Sequence, residues 1–91
     1  MKPDPVKITI AWQDPAMMQI GKSGLTDGVV KEAIRLLKLH KYIKVRVLRS
    51  ALGGDRTKES ILQALCDSTQ AQLSGIRGNT GVIYRLKKGS A

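Results

Sequence analysis

"MQIGKSGLTDGVVKEAIRLLKLHKYIKVRVL", residues 18–48, places an apolar run, a glycine loop, a helical pattern and an alternating pattern in immediate succession. Thr26 precedes the helical pattern as a candidate N-cap, because threonine side chains accept hydrogen bonds from the free N–H groups of a first turn. Apolar residues then recur at the spacing of one helix face: Val30, Ala33, Ile34 and Leu37. The following "YIKVRV" alternates apolar with basic side chains, which indicates a strand. The stretch therefore predicts a loop, a helix and a strand in that order.

The residues before the glycine loop are less decisive. The run "AMMQI", residues 16–20, predicts a short strand that leads into the loop, with Met17 and Met18 in the core. Further towards the N-terminus, "VKITIAW" alternates as a strand would, but it is short and the turn signal "QDP" follows it. The conformation of residues 1–14 therefore stays open.

The second half of the chain predicts one helix and two strands. The helix runs from residue 55 or 57 to about residue 69, and it buries one apolar face: Ile61, Leu62, Leu65 and Cys66. Two strands, "AQLSGIRG" (71–78) and "GVIYRLKK" (81–88), follow it. The "GNTG" between them predicts a hairpin turn, because its residues tolerate positive φ. The terminal "KKGSA" is expected to be a basic tail outside the fold.

After the undecided N-terminal segment, these elements follow one another in the order βαβαββ. Strands separated by helices should run parallel, whereas the last pair should be antiparallel. The predicted fold class is therefore α/β (α+β), a compact sandwich with a mixed four-stranded sheet and helices packed on it. We expect residues 1–91 to form a single domain, too small for the core and site of most enzymes.

Charge is the strongest signal in the composition. Sixteen Lys and Arg against seven Asp and Glu give a net charge of +9, which predicts a polyanionic partner. One cysteine and one histidine provide no zinc site and no acid–base constellation, so neither a metal nor a cofactor is expected. Apolar runs are too short or interrupted for a membrane span or a leader. We expect a cytoplasmic monomer without a membrane partner or a small-molecule substrate.

The Gly-Lys-Ser of the glycine loop has two interpretations. A nucleotide-binding P-loop needs a glycine five positions before the Gly of Gly-Lys-Ser, and that position holds Ala16. The stretch Gly21-Lys22-Ser23-Gly24 instead forms a GxxG loop between a strand and a helix. Its glycines let the backbone approach a sugar-phosphate chain, while Lys22 supplies charge and Ser23 a hydrogen-bond donor. This second interpretation is favoured.

Other basic residues extend this hypothesis. On the first helix a basic stripe is formed by Lys31, Arg35 and Lys38, which lie within roughly 60° of one another on the helical wheel. Alone, such a stripe is equally consistent with a solvent-exposed helix face. The candidate RNA contacts also include Lys44 and Arg46 on the predicted strand and Arg77 near the hairpin. Trp12, Tyr42 and Tyr84 are too scattered to predict a stacking platform, which favours recognition of backbone and shape.

Three quoted segments together resemble a known family: "IGKSGLTDGVVKEAIRLLKLHKYIKVRVL", "RTKESILQAL" and "IRGNTGVIYRLKK". They are similar, over roughly residues 15–88, to the CRM domain (chloroplast RNA splicing and ribosome maturation), in particular its stand-alone prokaryotic YhbY-like members. The resemblance implies a fold similar to the C-terminal domain of translation initiation factor three, with a KH-like GxxG loop at residues 21–24. It also implies an RNA partner, since stand-alone members associate with precursors of the large ribosomal subunit and plant members assist group II intron splicing. Members usually begin with a basic helix, whereas "PVKITIAWQDP" is shorter and more β-branched.

The leading hypothesis is a non-enzymatic protein that binds structured ribosomal RNA or a ribosomal precursor. A module that docks on a ribosomal protein or a processing enzyme is the alternative, with its positive face on an acidic patch. A small nucleotide-dependent enzyme is a third possibility, and it predicts saturable binding of ATP or GTP.

Overall fold

The structure is a computed structural model that describes residues 3–86. Its elements are α1 (Pro5–Gln13), β1 (Met18–Ile20), α2 (Asp27–His40), β2 (Tyr42–Val47), a 3₁₀ turn (Arg49–Ala51), α3 (Lys58–Thr69), β3 (Gln72–Arg77) and β4 (Thr80–Tyr84). After α1 the order is βαβαββ, so the predicted fold class is confirmed. The predicted strand 81–88 is too long, because β4 ends at Tyr84 and residues 85–86 lie outside it. The rest of that prediction, residues 87–88, and the "KKGSA" tail lie outside the described residues.

The four strands form one mixed sheet in the order β1-β2-β4-β3. β1 pairs with β2 in parallel, and β4 pairs antiparallel with both β2 and β3. β1, β2 and β3 therefore point the same way, as expected for strands separated by helices. The position of β4 between β2 and β3 is a feature that the sequence pattern did not predict.

Both long helices begin at side-chain caps. Thr26 Oγ1 accepts a hydrogen bond from the Val29 N–H at 3.2 Å, which confirms the predicted N-cap of α2. Thr57 caps α3 through a reciprocal pair with Ser60, in which each side-chain oxygen accepts from the other residue's N–H. Of the two starts predicted for this helix, residues 55 and 57, the structure has the second, with Thr57 as the N-cap.

The main core lies between α2, α3 and one face of the sheet. Its fully buried members include Ile20 of β1, Val45 of β2 and Leu62 of α3. Gly81 of β4 is required there, because a Cβ at this position would lie 2.7 Å from Leu62 Cδ1. Cys66 is buried as predicted, and loss of solvent raises the pKa of its thiol to about 11.

The segment of undecided conformation is a helix. α1 begins at Asp4, whose Oδ1 accepts from the Val6 N–H at 2.9 Å, and Pro5 occupies the first turn, where its missing N–H costs nothing. The helix packs on the opposite face of the sheet from α2 and α3, where Ala11 is buried with Tyr42 and Val82. Local capping and this burial outweigh the β-branched composition of the segment.

Met17 does not have the buried environment that its sequence pattern predicts. β1 begins at Met18 rather than at residue 16, and Met17 is 37% exposed, so its assignment to the core was wrong. The strand is only three residues long and Met17 precedes its first paired position. Tyr42 is buried and Tyr84 is half-buried, and their ring centroids lie 5.7 Å apart.

Candidate nucleic-acid interface

Three chain segments meet at one edge of the sheet, which we call the carboxyl edge. It consists of residues 21–26 after β1, residues 48–57 after β2 and the turn 78–79 after β3. The carboxyl ends of strands that point the same way share an edge, and ligands commonly bind there in open sheets. Hydrogen bonds tie two of these segments to the neighbouring strand ends, from Leu48 N to Ile20 O at 2.9 Å and from Val47 N to Asn79 O at 2.7 Å.

The GxxG loop is a tight turn at this edge. The Gly24 N–H donates to Gly21 O at 2.9 Å, which leaves Lys22 and Ser23 exposed at the corner of the turn. Gly24 is buried and has a φ of +67°, a conformation that side-chain-bearing residues rarely adopt. The sequence thus forms a turn that fixes two polar side chains outward from the sheet.

The connection 48–57 packs against this turn and adds basic residues to it. A Cβ on Gly24 would lie 3.2 Å from Arg56 Nη1, and one on Gly21 would lie 3.9 Å from Ser50 Oγ. Arg49, beside Ser50, is exposed. Arg56 and Arg49 were not among the predicted site residues, although the rule that loops after adjacent parallel strands meet could have identified them.

The N-terminus of α2 has two features that weaken its attraction for an anion. Thr26 Oγ1 already accepts from one of the free N–H groups of the first turn, and Asp27 adds a negative charge in that turn. Both features reduce the positive potential that a helix N-terminus offers to phosphate. Attraction for an anion at the carboxyl edge therefore rests on Lys22 and the arginines.

Arg46 and Arg77, two of the predicted RNA contacts, lie near the carboxyl edge. A row of directly paired residues crosses the whole sheet from β1 to β3: Gln19, Arg46, Thr80 and Arg77. Alternation along β2 places Arg46 on the same face as Tyr42, which is the face that carries α1. Arg46 and Arg77 are both exposed, so the structure brings them to the same end of the molecule as Lys22.

Lys44, also predicted as an RNA contact, has a structural role. Its Nζ donates to Trp12 O at 2.9 Å and to Asp14 O at 3.0 Å. These carbonyls lie at the C-terminal end of α1, where backbone oxygens have no partner within the helix. Lys44 therefore attaches α1 to the sheet, and its charge is already engaged.

The basic stripe of α2 lies elsewhere. Lys31, Arg35 and Lys38 are exposed on the side of α2 turned away from the core, beyond the sheet face opposite α1. Glu32 pairs with Arg35 at 2.7 Å, and the hydrogen bond lowers the pKa of this carboxyl. Lys38 is roughly 16 Å along the helix axis from its first residue. The structure does not join the stripe to Arg46 and Arg77 in one surface.

The described part of the chain contains no cluster of three or more His, Cys, Asp or Glu side chains suited to hold a metal ion. Among residues 3–86, no helix is both long and apolar enough to cross a membrane.

The fold and its edge define a small α/β domain that presents a glycine loop beside basic side chains. The chain belongs to the CRS1 / YhbY (CRM) domain family, whose pattern matches residues 8–85. The expected family resemblance is thereby confirmed.

Similar proteins include two bacterial relatives and one solved structure. The chain is 32% identical over 72 residues to "Probable RNA-binding protein YqeI" of Bacillus subtilis, which covers 79% of this chain and 72% of the relative. It is 38% identical over 73 residues to an "RNA-binding protein" of Haemophilus influenzae, covering 79% and 69% respectively. The solution structure of SAV1595 from Staphylococcus aureus, put forward as an RNA binding protein, superimposes with a TM-score of 0.72 at 28% identity, covering 91% of this chain and 83% of that one.

Proposed function

We propose that this protein is a non-enzymatic RNA-binding protein that acts as a cytoplasmic monomer on structured ribosomal RNA or on a precursor of the large ribosomal subunit. The observation that carries the proposal is the GxxG turn, which exposes Lys22 and Ser23 beside Arg56 at the carboxyl edge. The RNA-binding names of the relatives support the choice of RNA among polyanions.

Binding is proposed to begin with the backbone of the RNA. Gly21 and Gly24 lack side chains that would hold a sugar-phosphate chain away, Lys22 attracts a phosphate and Ser23 donates a hydrogen bond to it. Arg46, Arg56 and Arg77 add charge along the same edge. If about five phosphates are neutralised, log K falls with log salt at a slope of roughly −3.5 to −4.5.

The test replaces Lys22 and Ser23 together by alanine and titrates a labelled transcript of large-subunit ribosomal RNA at several salt concentrations. We expect affinity to fall about tenfold and the salt slope to become less steep by about 1, since one phosphate contact is lost. A control double variant, Lys31→Ala with Lys38→Ala, removes two positive charges from the outer face of α2, one more than the loop variant, and keeps the loop. Circular dichroism establishes that both variants fold.

Unchanged RNA affinity in the folded loop variant would exclude the loop from the interface. If only the Lys31 and Lys38 variant lost RNA affinity, the interface would instead be assigned to the outer face of α2.

A second candidate function is docking on a protein of a ribosomal or RNA-processing complex. It is favoured by apolar side chains that remain exposed on α1, where Val6 is 64% and Ile10 48% accessible. Nuclease treatment before affinity capture separates the two functions, because a complex held by protein contacts survives removal of RNA.

A further inference from the structure

Trp12 and Arg77, from opposite ends of the chain, form a close pair on the α1 face of the sheet. The guanidinium carbon of Arg77 lies 4.5 Å from the centroid of the Trp12 ring. The ring is partly buried against the cluster of Ala11, Tyr42 and Val82, while Arg77 is exposed. The indole is thus a fixed support, and the arginine on it keeps a side open to solvent.

The pair terminates the row Gln19, Arg46, Thr80 and Arg77 that crosses the sheet. Three strand spacings give this row a length of roughly 14 Å. Its β1 end lies beside the residue that leads into the GxxG loop, since Gln19 is followed by Ile20 and Gly21. A strand of RNA bound at the loop can therefore continue along the row to Arg77.

Contacts other than the one between Arg77 and Trp12 attach α1 to the sheet at both of its ends. Lys44 already binds the carbonyls at the end of the helix, and the Asp4 N–H donates to the Tyr42 hydroxyl at 2.7 Å at its beginning. Within residues 3–86, no carboxylate lies within ion-pair distance of Arg77. A guanidinium that lies over an aromatic ring and belongs to an exposed side chain suits stacking of a nucleobase.

We propose that Arg77, supported by Trp12, stacks an unpaired base of the RNA whose backbone the GxxG loop binds. The inference rests on the proposed function and extends it, because it adds recognition of bases to recognition of backbone and shape. Arg46 contacts phosphate along the row between the two sites.

The test uses two probes of equal length and equal phosphate number, an oligoadenylate and an abasic ribose-phosphate chain. Trp12 is the only tryptophan, so its emission reports the site directly. Oligoadenylate is expected to change this emission and to bind roughly five- to a hundredfold more tightly than the abasic chain, the range for one stacked base. Arg77→Lys should abolish this preference and leave the salt slope unchanged, since it keeps the charge and loses the plane. Arg85→Lys, a matched change away from the row, should keep the preference.

Equal affinity for the two probes, no binding of oligoadenylate, or an unchanged preference in the Arg77→Lys protein would each overturn the stacking proposal. The ribosomal transcript and the Lys22 and Ser23 variant test the proposed function separately. Loop-dependent binding of the transcript with no preference between the probes would leave RNA binding in place and remove only the stacked base.

Discussion

The two glycines of the GxxG loop should differ sharply when each is replaced by alanine. Gly24 has a φ of +67°, where a residue with a Cβ is less stable by about 1–2 kcal/mol. For a domain of this size such a loss lowers the melting temperature by about 4–16 °C. A Cβ at Gly21 would make only ordinary contacts, 3.7 Å from Leu48 Cδ1 and 3.9 Å from Ser50 Oγ, so Gly21→Ala should change stability by less than about 0.5 kcal/mol.

The assay is thermal and urea unfolding followed by circular dichroism, with Gly24→Asn as a third variant. Asparagine tolerates the left-handed region, so it should recover part of the stability that alanine loses. Removing Arg56, whose Nη1 would lie 3.2 Å from the new Cβ, should not rescue Gly24→Ala, because a flexible side-chain end can move away. Equal melting temperatures for the two alanine variants would refute the argument that backbone conformation fixes this turn.

Three further predictions concern stability. Lys44→Met should lower the free energy of unfolding by about 1–3 kcal/mol, because two hydrogen bonds to α1 are lost. An equal free energy of unfolding in urea titrations of Lys44→Met and of the exposed control Lys31→Met would contradict this. Thr57→Ala should lower the free energy of unfolding by about 1 kcal/mol, because α3 loses its cap. Calorimetry should find no such loss for Thr9→Ala, a change at an exposed position of α1. Burial raises the pKa of Cys66 to about 11 from 9.0, so its stabilising contribution is complete below pH 9 and is lost between pH 9 and 11. In urea titrations, the free energy of unfolding of Cys66→Ala should therefore decline less over this pH range than that of the unchanged protein. Parallel curves for the two proteins would exclude the thiol as the cause.

Most of the fold was predictable from local patterns. Thr26, the apolar spacing behind it and the alternation of "YIKVRV" specify α2 and β2 through short-range rules that tertiary contacts here reinforce. α1 was not predictable, because its β-branched residues favour a strand and only its cap and its packing on Tyr42 make it helical. Met17 was misplaced because the boundary of a three-residue strand depends on pairing with β2.

The candidate site was predictable in part. The turn at Gly21 and Gly24 was predictable because glycine adopts the backbone conformations of tight turns, and the structure contains this turn. The partners of Lys44 and the neighbours of Trp12 depend on contacts between distant segments, which residue type and spacing do not report. For the same reason the basic residues looked like one surface in sequence, whereas Lys31 and Arg46 lie on opposite sides of the sheet.

The position of β4 between β2 and β3 determines when the sheet can be completed during synthesis. β1 and β2 leave the ribosome early and can pair at once, but β2 keeps an open edge and β3 has no neighbour until Thr80–Tyr84 has been made. Open strand edges are the positions at which one chain pairs wrongly with another. Until residues 80–84 have been made, the open edge of β2 is therefore a position at which two nascent chains can pair. The carboxyl edge, which needs the β3–β4 turn, is complete only after residues 78–79 have been made.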